Sequence, residues 1–271
     1  MADIATLSSR YHVSELDHAY GKNVHLLDDP LAWTLLARLC AQDTHQPEVG
    51  RLVKRLYEKM IEIVLAAEFP RVRIDIPTRM VTSAPEAVVR TASIARTSKC
   101  VTVGIARAGT MPSQVVYDCL NEMLEPEGVR QDHLFMSRKT DDAGKVIGAD
   151  WHDAKIGRDV DGRTVFFPDP MGATGSSIVR ALTHYKTQLD GTPAKNIVMH
   201  LILTPEYIKN VLTHHPDTII YTWRLDRGLS AKAVLETKPG TRWAEEKGLN
   251  DHQYIVPGAG GVGELLNNSW I

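Results

Sequence analysis

The chain is poor in cysteine, in net charge and in long apolar runs, and each shortage excludes something. Its 271 residues include only Cys40, Cys100 and Cys119. They are odd in number, far apart and without metal-ligand spacing, so neither a disulfide framework nor a zinc site is expected; a reduced, cytoplasmic setting is. The formal net charge is −2. No global basic field attracts nucleic acid or an anionic membrane, so any anion site has to be local. No stretch reaches the roughly 18 consecutive apolar residues of a membrane span. The opening MADIATLSSRYHVSELDHAY has no apolar centre behind basic residues, so no secretion leader is expected. His152, His214 and His215 do not pair with carboxylates at metal spacing, and no nucleophilic triad is evident. His214 and His215 are expected at a helix end, where a cation suits the dipole.

What is present is ordinary in bulk, with 43% hydrophobic and 24% charged residues, enough for a sizeable core. Residues 1–23 are polar and read as a loose arm before a domain spanning 24–271. DDPLAWTLLARLCAQ opens with acids and Pro30, then places Leu31, Leu35, Leu36 and Leu39 at helical spacing. PEVGRLVKRLYEKMIEIVLAAEFP repeats that pattern up to Pro70, and RVRIDIPT alternates like a half-buried strand. Apolar β-branched runs then alternate with helical ones. CVTVGIA precedes PSQVVYDCLNEML, VFF precedes SSIVRALTHYKTQL, NIVMHLIL precedes PEYIKNVLTHH, and TIIYTWRL follows. That rhythm predicts an α/β fold with a central parallel sheet flanked by helices. QDHLFMSRKTDDAGKVIGADWHD reads as a short strand and then a polar loop suited to closing over a polyanion.

VFFPDPMGATGSS, residues 165–177, carries the most chemistry. A buried strand ends at Asp169, and Ala173, Thr174, Gly175, Ser176 and Ser177 open a helix. Small residues let several main-chain N–H groups converge on one anion at a helix start, and the hydroxyls add donors. This loop spells neither G-x-x-x-x-G-K-[ST] nor G-x-G-x-x-G. Asp169 stands at the strand end where open α/β sheets bind ligands, placed to accept hydrogen bonds from sugar hydroxyls or to cap the loop. Arg107 in GIARAG sits on a second strand end and suits bidentate contact with phosphate oxygens, or a surface salt bridge. Arg138, Lys139 and Lys145 lie with Asp141, Asp142 and Gly144 in the polar loop. YIVPGAGGVGE, residues 254–264, holds four glycines and suits close approach of backbone to a flat ring, or a plain C-terminal turn.

The order of these stretches, VGIARAG, SRKTDD, VFFPDPMGATGSS, HHPDTIIYTWRLDRGL and LNDHQYIVPGAGGVGE, resembles the uracil phosphoribosyltransferases from about residue 24 to the C-terminus. The D-P-M-x-A-T-G-x-S block is its most specific part. Related phosphoribosyltransferases usually carry two adjacent acids there, and the uracil branch carries Asp then Pro, as in Asp169–Pro170. The resemblance implies a type I phosphoribosyltransferase-like fold, with a hood from the C-terminal and N-terminal segments. It implies transfer from phosphoribosyl pyrophosphate (PRPP) to a pyrimidine base, with Mg²⁺ held mainly through PRPP, and a homodimer or higher homo-oligomer. It assigns the 5-phosphate to Ala173, Thr174, Gly175, Ser176 and Ser177, the ribose hydroxyls to Asp169, and the pyrophosphate to Arg107 and Arg138 with Lys139. The base falls to the backbone of Ile255 and Gly260, flanked by Tyr254 and Gly261.

Three departures stand out. The family's base loop reads like YIVPGLGDAGD, so Gly261 replaces its first Asp and Glu264 its last. RAGTMPS, with Pro112, replaces RAGLG. Residues 231–248, AKAVLETKPGTRWAEEKG, separate DRGLS from LNDHQYIVPG as a flap, a subunit contact or a surface excursion. Two functions follow as expectations: a PRPP-dependent pyrimidine phosphoribosyltransferase, or an altered homologue that binds a nucleotide and acts through a partner.

Overall fold

A computed structural model describes residues 11–140, 146–157 and 159–269, with backbone alone for 137–140 and 146–151. The chain runs β1 (Val24–Leu26), α1 (Pro30–Leu39), α2 (Glu48–Glu68), β2 (Arg71–Pro77), β3 (Val88–Ile94), β4 (Cys100–Ala106), α3 (Thr110–Met123), β5 (Val129–Thr140) and β6 (Val146–Lys155). It continues through β7 (Thr164–Pro168), β8 (Met171–Gly172), α4 (Ser176–Thr187), β9 (Lys195–Leu203), α5 (Pro205–His214), β10 (Ile219–Leu225), α6 (Lys232–Leu235) and α7 (Val262–Asn267).

The main sheet has the order β1-β10-β9-β7-β4-β5-β6, with β8 also on β9. Its pairings are parallel except β5–β6. The central strands are apolar on both faces because helices cover both. Phe166, Ile197, Met199, Tyr221 and Trp223 pack with α1, α2 and α3. Val165, Phe167, Val198 and Ile220 pack with α4 and α5. Each helix starts where its sequence permits. Asp29 Oδ1 accepts from Ala32 N at 2.9 Å ahead of Pro30, a cap worth about 1 kcal/mol. Thr204 Oγ1 accepts from Tyr207 N at 3.0 Å ahead of Pro205. Pro112 falls in the first turn of α3, where its missing N–H costs nothing. His214 ends α5, as expected.

Several expectations need correction. Leu31 is exposed, and Ala32 takes the buried position beside Leu35, Leu36 and Leu39. RVRIDIP is not half-buried: β2 pairs only with β3, in a separate antiparallel ribbon from Arg71↔Ile94 to Pro77↔Val88. With no layer of helices beneath it, Val72, Ile76 and Val89 face solvent. The strand after Gln131 is not short. It continues to Thr140 and pairs back on β6, from His133↔Lys155 to Thr140↔Val146. Residues 137–140 of the anticipated lid thus belong to β5; Asp141, Asp142, Gly144 and Lys145 lie outside the described residues.

Residues 11–23 are not loose either. Leu16 N donates to Leu26 O at 2.8 Å, and Ala19 N to Pro239 O at 2.7 Å. The Tyr20 ring packs edge-on against Trp243, and its hydroxyl donates to the buried Glu246 carboxylate. Glu246 also takes Arg227 Nη1 at 2.9 Å and Gly240 N at 2.8 Å. The 231–248 insert is therefore bolted to the N-terminal segment, which excludes the free flap among its expected forms.

Candidate functional site

Strands β4 and β7 are neighbours whose outgoing connections diverge. After β4 the chain crosses through α3 to β5; after β7 it crosses through α4 to β9, over the opposite face. Such a switch point opens a crevice at the carboxyl ends of the strands. A cavity of about 690 Å³ lies there, lined by residues 105–108 at the end of β4, by Asp169 and residues 173–178 after β7, and by the glycine loop.

The first wall is the turn after β4. Gly109 N donates to Ile105 O at 2.9 Å, and Thr110 N to Arg107 O at 3.1 Å. A Cβ on Gly109 would stand 2.8 Å from Ile105 O and 3.0 Å from Pro168 O, so only glycine lets the two strand-end loops approach this closely. Arg107 projects to the cavity rim. Its Nη1 donates to Ser269 Oγ at 2.6 Å and its Nη2 lies 3.5 Å from Glu264 Oε1.

The second wall follows β7. Asp169 N donates to Met199 O at 3.0 Å, and Met171 N donates to Asp169 Oδ1 at 3.2 Å. Beneath it lies a group the sequence reasoning missed. His200 is fully buried, with Nδ1 2.5 Å from Asp169 O and Nε2 2.5 Å from the Tyr207 hydroxyl. The carbonyl only accepts, so Nδ1 carries the hydrogen and Nε2 accepts from the tyrosine. Burial pushes the imidazole from 6.5 down to about 4, which keeps it neutral, while burial holds the Tyr207 phenol well above its usual range.

The loop between β8 and α4 is oriented from below. Thr204 Oγ1 donates to Ala173 O at 2.7 Å, and Asn210 Nδ2 to Thr174 O at 2.8 Å. In a trans peptide the N–H points opposite the C=O. Anchoring those carbonyls towards α5 therefore turns the Thr174 and Gly175 N–H groups away from it, to the cavity side. Gly175 adopts φ +78°, a left-handed conformation suited to glycine, and a Cβ there would meet Val211 Cγ2 at 3.2 Å and Tyr207 Cδ2 at 3.3 Å. Ser176 and Ser177 begin α4, where main-chain N–H groups have no acceptor within the helix and the dipole is positive. Donors gathered at the bottom of a cavity suit an anion.

The third wall is residues 253–264. Arg224 and Asp226 hold it: Gly258 N donates to Asp226 Oδ2 at 2.7 Å, Arg224 Nη2 donates to Gly258 O at 3.0 Å, and the two side chains pair at 2.6 Å. Glu206 takes the N–H groups of Gly248 and Leu249, which ties the loop's base to α5. Gly258 and Gly260 adopt φ +63° and +69°. Residues 258–263 do spell G-x-G-x-x-G, but they follow no strand and open only the six-residue α7, so the dinucleotide context is missing.

Arg107, Asp169, Ala173, Thr174, Gly175, Ser176, Ser177, Tyr254, Ile255, Gly260 and Gly261 therefore all line one cavity. Arg138 and Lys139 lie further along β5 than the lining residue Met136, in register with Ala149 and Gly148; their side chains are outside the description. Met136, Met171 and Tyr207 were missed as lining residues because nothing local marks them. Among the described residues, no three His, Cys, Asp or Glu side chains gather as a metal site, and no helix is long and apolar enough to cross a membrane.

Fold and cavity together define an α/β protein with a cavity of small-molecule size at the switch point of a parallel sheet. Residues 26–241 match the family model for uracil phosphoribosyltransferase, and the chain belongs to that family. It is 28% identical over 245 residues to the uracil phosphoribosyltransferase of Variovorax paradoxus, covering 90% of this chain and 97% of that one. With the uracil phosphoribosyltransferase of Finegoldia magna it shares 39% identity over 113 residues, 41% of this chain and 43% of that one. The AQ2163 protein of Aquifex aeolicus shares the fold at a TM-score of 0.67 and 20% identity, over 90% of this chain and 97% of that structure. The family match ends inside the insert, so the glycine loop lies beyond it.

Proposed function

We propose that the protein transfers the phosphoribosyl group from PRPP to uracil or a related pyrimidine, releasing pyrophosphate. The observation that carries this is the meeting of three distant stretches, at Arg107, at 169–177 and at 254–264, around one cavity of about 690 Å³. Each wall matches a part of the substrates. The amides and hydroxyls of 173–177 suit a dianionic 5-phosphate. Asp169, an acceptor held between β7 and β8, suits the ribose 2- and 3-hydroxyls. Arg107, with Arg138 and Lys139 on the hairpin, suits the pyrophosphate. The backbone of Ile255 and Gly260, flanked by Tyr254 and Gly261, suits the edge of a flat ring.

As the anomeric C–O bond lengthens, positive charge grows on the ribose and negative charge on the departing pyrophosphate. The arginines stabilise the leaving group, and the closed walls keep water from the oxocarbenium-like centre. His200 is buried below Asp169 and neutral, so it positions the loop and moves no proton. Mg²⁺ suits the oxygen donors here and would arrive held mainly through PRPP, where it would neutralise diphosphate charge. Residues 24–271 form one catalytic domain carrying the 231–248 insert, after an N-terminal arm at 1–23. The exposed apolar face of the β2–β3 ribbon supports a homodimer, and the scattered free thiols a cytoplasmic setting.

Incubation with PRPP, Mg²⁺ and a panel of pyrimidines tests the reaction: pyrophosphate release is expected, and none with any pyrimidine refutes it. The substitution at Gly261 favours a second reading, a nucleotide-binding protein without turnover. Tight UMP binding by calorimetry without pyrophosphate release would select it.

A further inference from the structure

Two neighbouring glycines in the third wall have different reasons to be there. Gly260 sits at φ +69°, and a Cβ on it would meet nothing within 4 Å, so its role is conformational. Gly261 sits at φ −81°, which any L-residue adopts. What Gly261 provides is space. A Cβ there would fall 2.3 Å from Glu264 Oε2 and 3.1 Å from Glu264 Cδ. The Glu264 carboxylate has folded back into the volume that a side chain at 261 would take, and both residues line the cavity beside Gly260 and Ile255.

That carboxylate is held from the other side. Its Oε1 lies 3.5 Å from Arg107 Nη2, while Arg107 Nη1 is engaged by Ser269 Oγ. A Cβ on Gly263 would approach the Ala108 Cβ to 3.5 Å, so the start of α7 packs directly on the Arg107 turn. The ion pair is 42% and 38% exposed, so it contributes little to stability and orients rather than braces. A carboxylate only accepts hydrogen bonds. In a cavity taking PRPP and a pyrimidine, the available donors are ribose hydroxyls and ring N–H groups. Asp169, on the opposite wall, faces the sugar. Glu264 stands on the loop assigned to the ring.

We infer that Glu264 is the base-selecting carboxylate of this site: folded over Gly261 and oriented by Arg107, it accepts a hydrogen bond from a ring N–H of the pyrimidine. This rests on the transferase reading. A side chain at 261 would have to displace the Glu264 carboxylate from that volume.

Calorimetry with two probes tests this. UMP carries the ring; PRPP with Mg²⁺ does not. Glu264→Ala is expected to weaken UMP binding at least ten-fold, the order of a hydrogen bond to a charged group, and to leave PRPP affinity no weaker than the wild type's, because it removes only an acceptor that competes with the pyrophosphate for Arg107. Gly261→Asp alone is expected to lose at least as much UMP affinity, because two carboxylates then compete for one volume. The double variant Gly261→Asp/Glu264→Ala is expected to recover most of it. Thermal melting of all four proteins separates misfolding from site effects, since a merely structural role would move both affinities together. Unchanged UMP affinity in Glu264→Ala, a loss confined to PRPP, or a double variant no better than Gly261→Asp would each overturn the inference while leaving the transferase reading intact. A wild-type protein that binds neither probe would overturn both.

Discussion

His200 makes the protein's stability depend on pH in a way that can be calculated. The imidazole is wholly buried between Asp169 O and the Tyr207 hydroxyl, and burial lowers it from 6.5 to about 4. Between those values the unfolded chain binds a proton that the folded chain refuses. Stability is therefore complete above pH 6.5 and is lost as pH falls, until the folded imidazole also protonates near 4. A gap of about 2.5 units at about 1.4 kcal/mol per unit corresponds to roughly 3 kcal/mol in full, of which about 2 kcal/mol is lost between pH 7 and pH 5. Other groups also respond to pH, so the measurement has to be differential. His200→Gln keeps a donor for the carbonyl and an acceptor for the tyrosine but does not titrate. Urea unfolding at pH 7 and pH 5 should show the wild type losing about 2 kcal/mol more than the variant. Equal losses, within about 0.5 kcal/mol, would show that the imidazole is hydrated or charged in the folded protein and would sink the account of the support beneath Asp169.

Three further outcomes are expected. Gly175→Ala should destabilise the protein by about 1–2 kcal/mol, because φ +78° is costly for any residue with a Cβ and the methyl would press on Val211 and Tyr207; denaturant melts check the stability, and weaker UMP binding checks the cradle. Glu246→Ala should cost about 3 kcal/mol by urea unfolding, because it leaves the largely buried Arg227 charge with backbone carbonyls as acceptors but no carboxylate, and frees the Tyr20 hydroxyl; a loss under 1 kcal/mol would mean that the insert does not need its bolt. Asp169→Asn should weaken PRPP affinity about 10- to 100-fold, at roughly 1.5–3 kcal/mol for a hydrogen bond to a charged group, with melting unchanged; calorimetry reads it directly.

Local chemistry determined a good deal of this protein without help. The β-branched runs CVTVGIA, TVFF and NIVMHLIL can only be strands buried on both faces, and the helical spacings between them force parallel crossovers, so the layered α/β fold was legible. The small residues 173–177 between strand and helix marked a helix start with unpaired main-chain donors, because those donors are exposed whatever lies elsewhere in the chain.

Tertiary structure alone decided the rest, because it depends on neighbours remote in sequence. RVRIDIP has the pattern of a half-buried strand, yet pairing with β3 outside the main sheet leaves it in solvent. The short β1 exists because β10 offers it an edge, and residues 11–23 are held by contacts such as that of Tyr20 with Glu246, 226 residues away in the chain. His200 reads as one more apolar-strand position until Asp169 and Tyr207 close around it. At the glycine loop, the sequence and its family resemblance record that Gly261 and Glu264 stand where the family has Asp. That a carboxylate from 264 fills the space, steered by an arginine 157 residues earlier, is set by how α7 packs on the β4 turn.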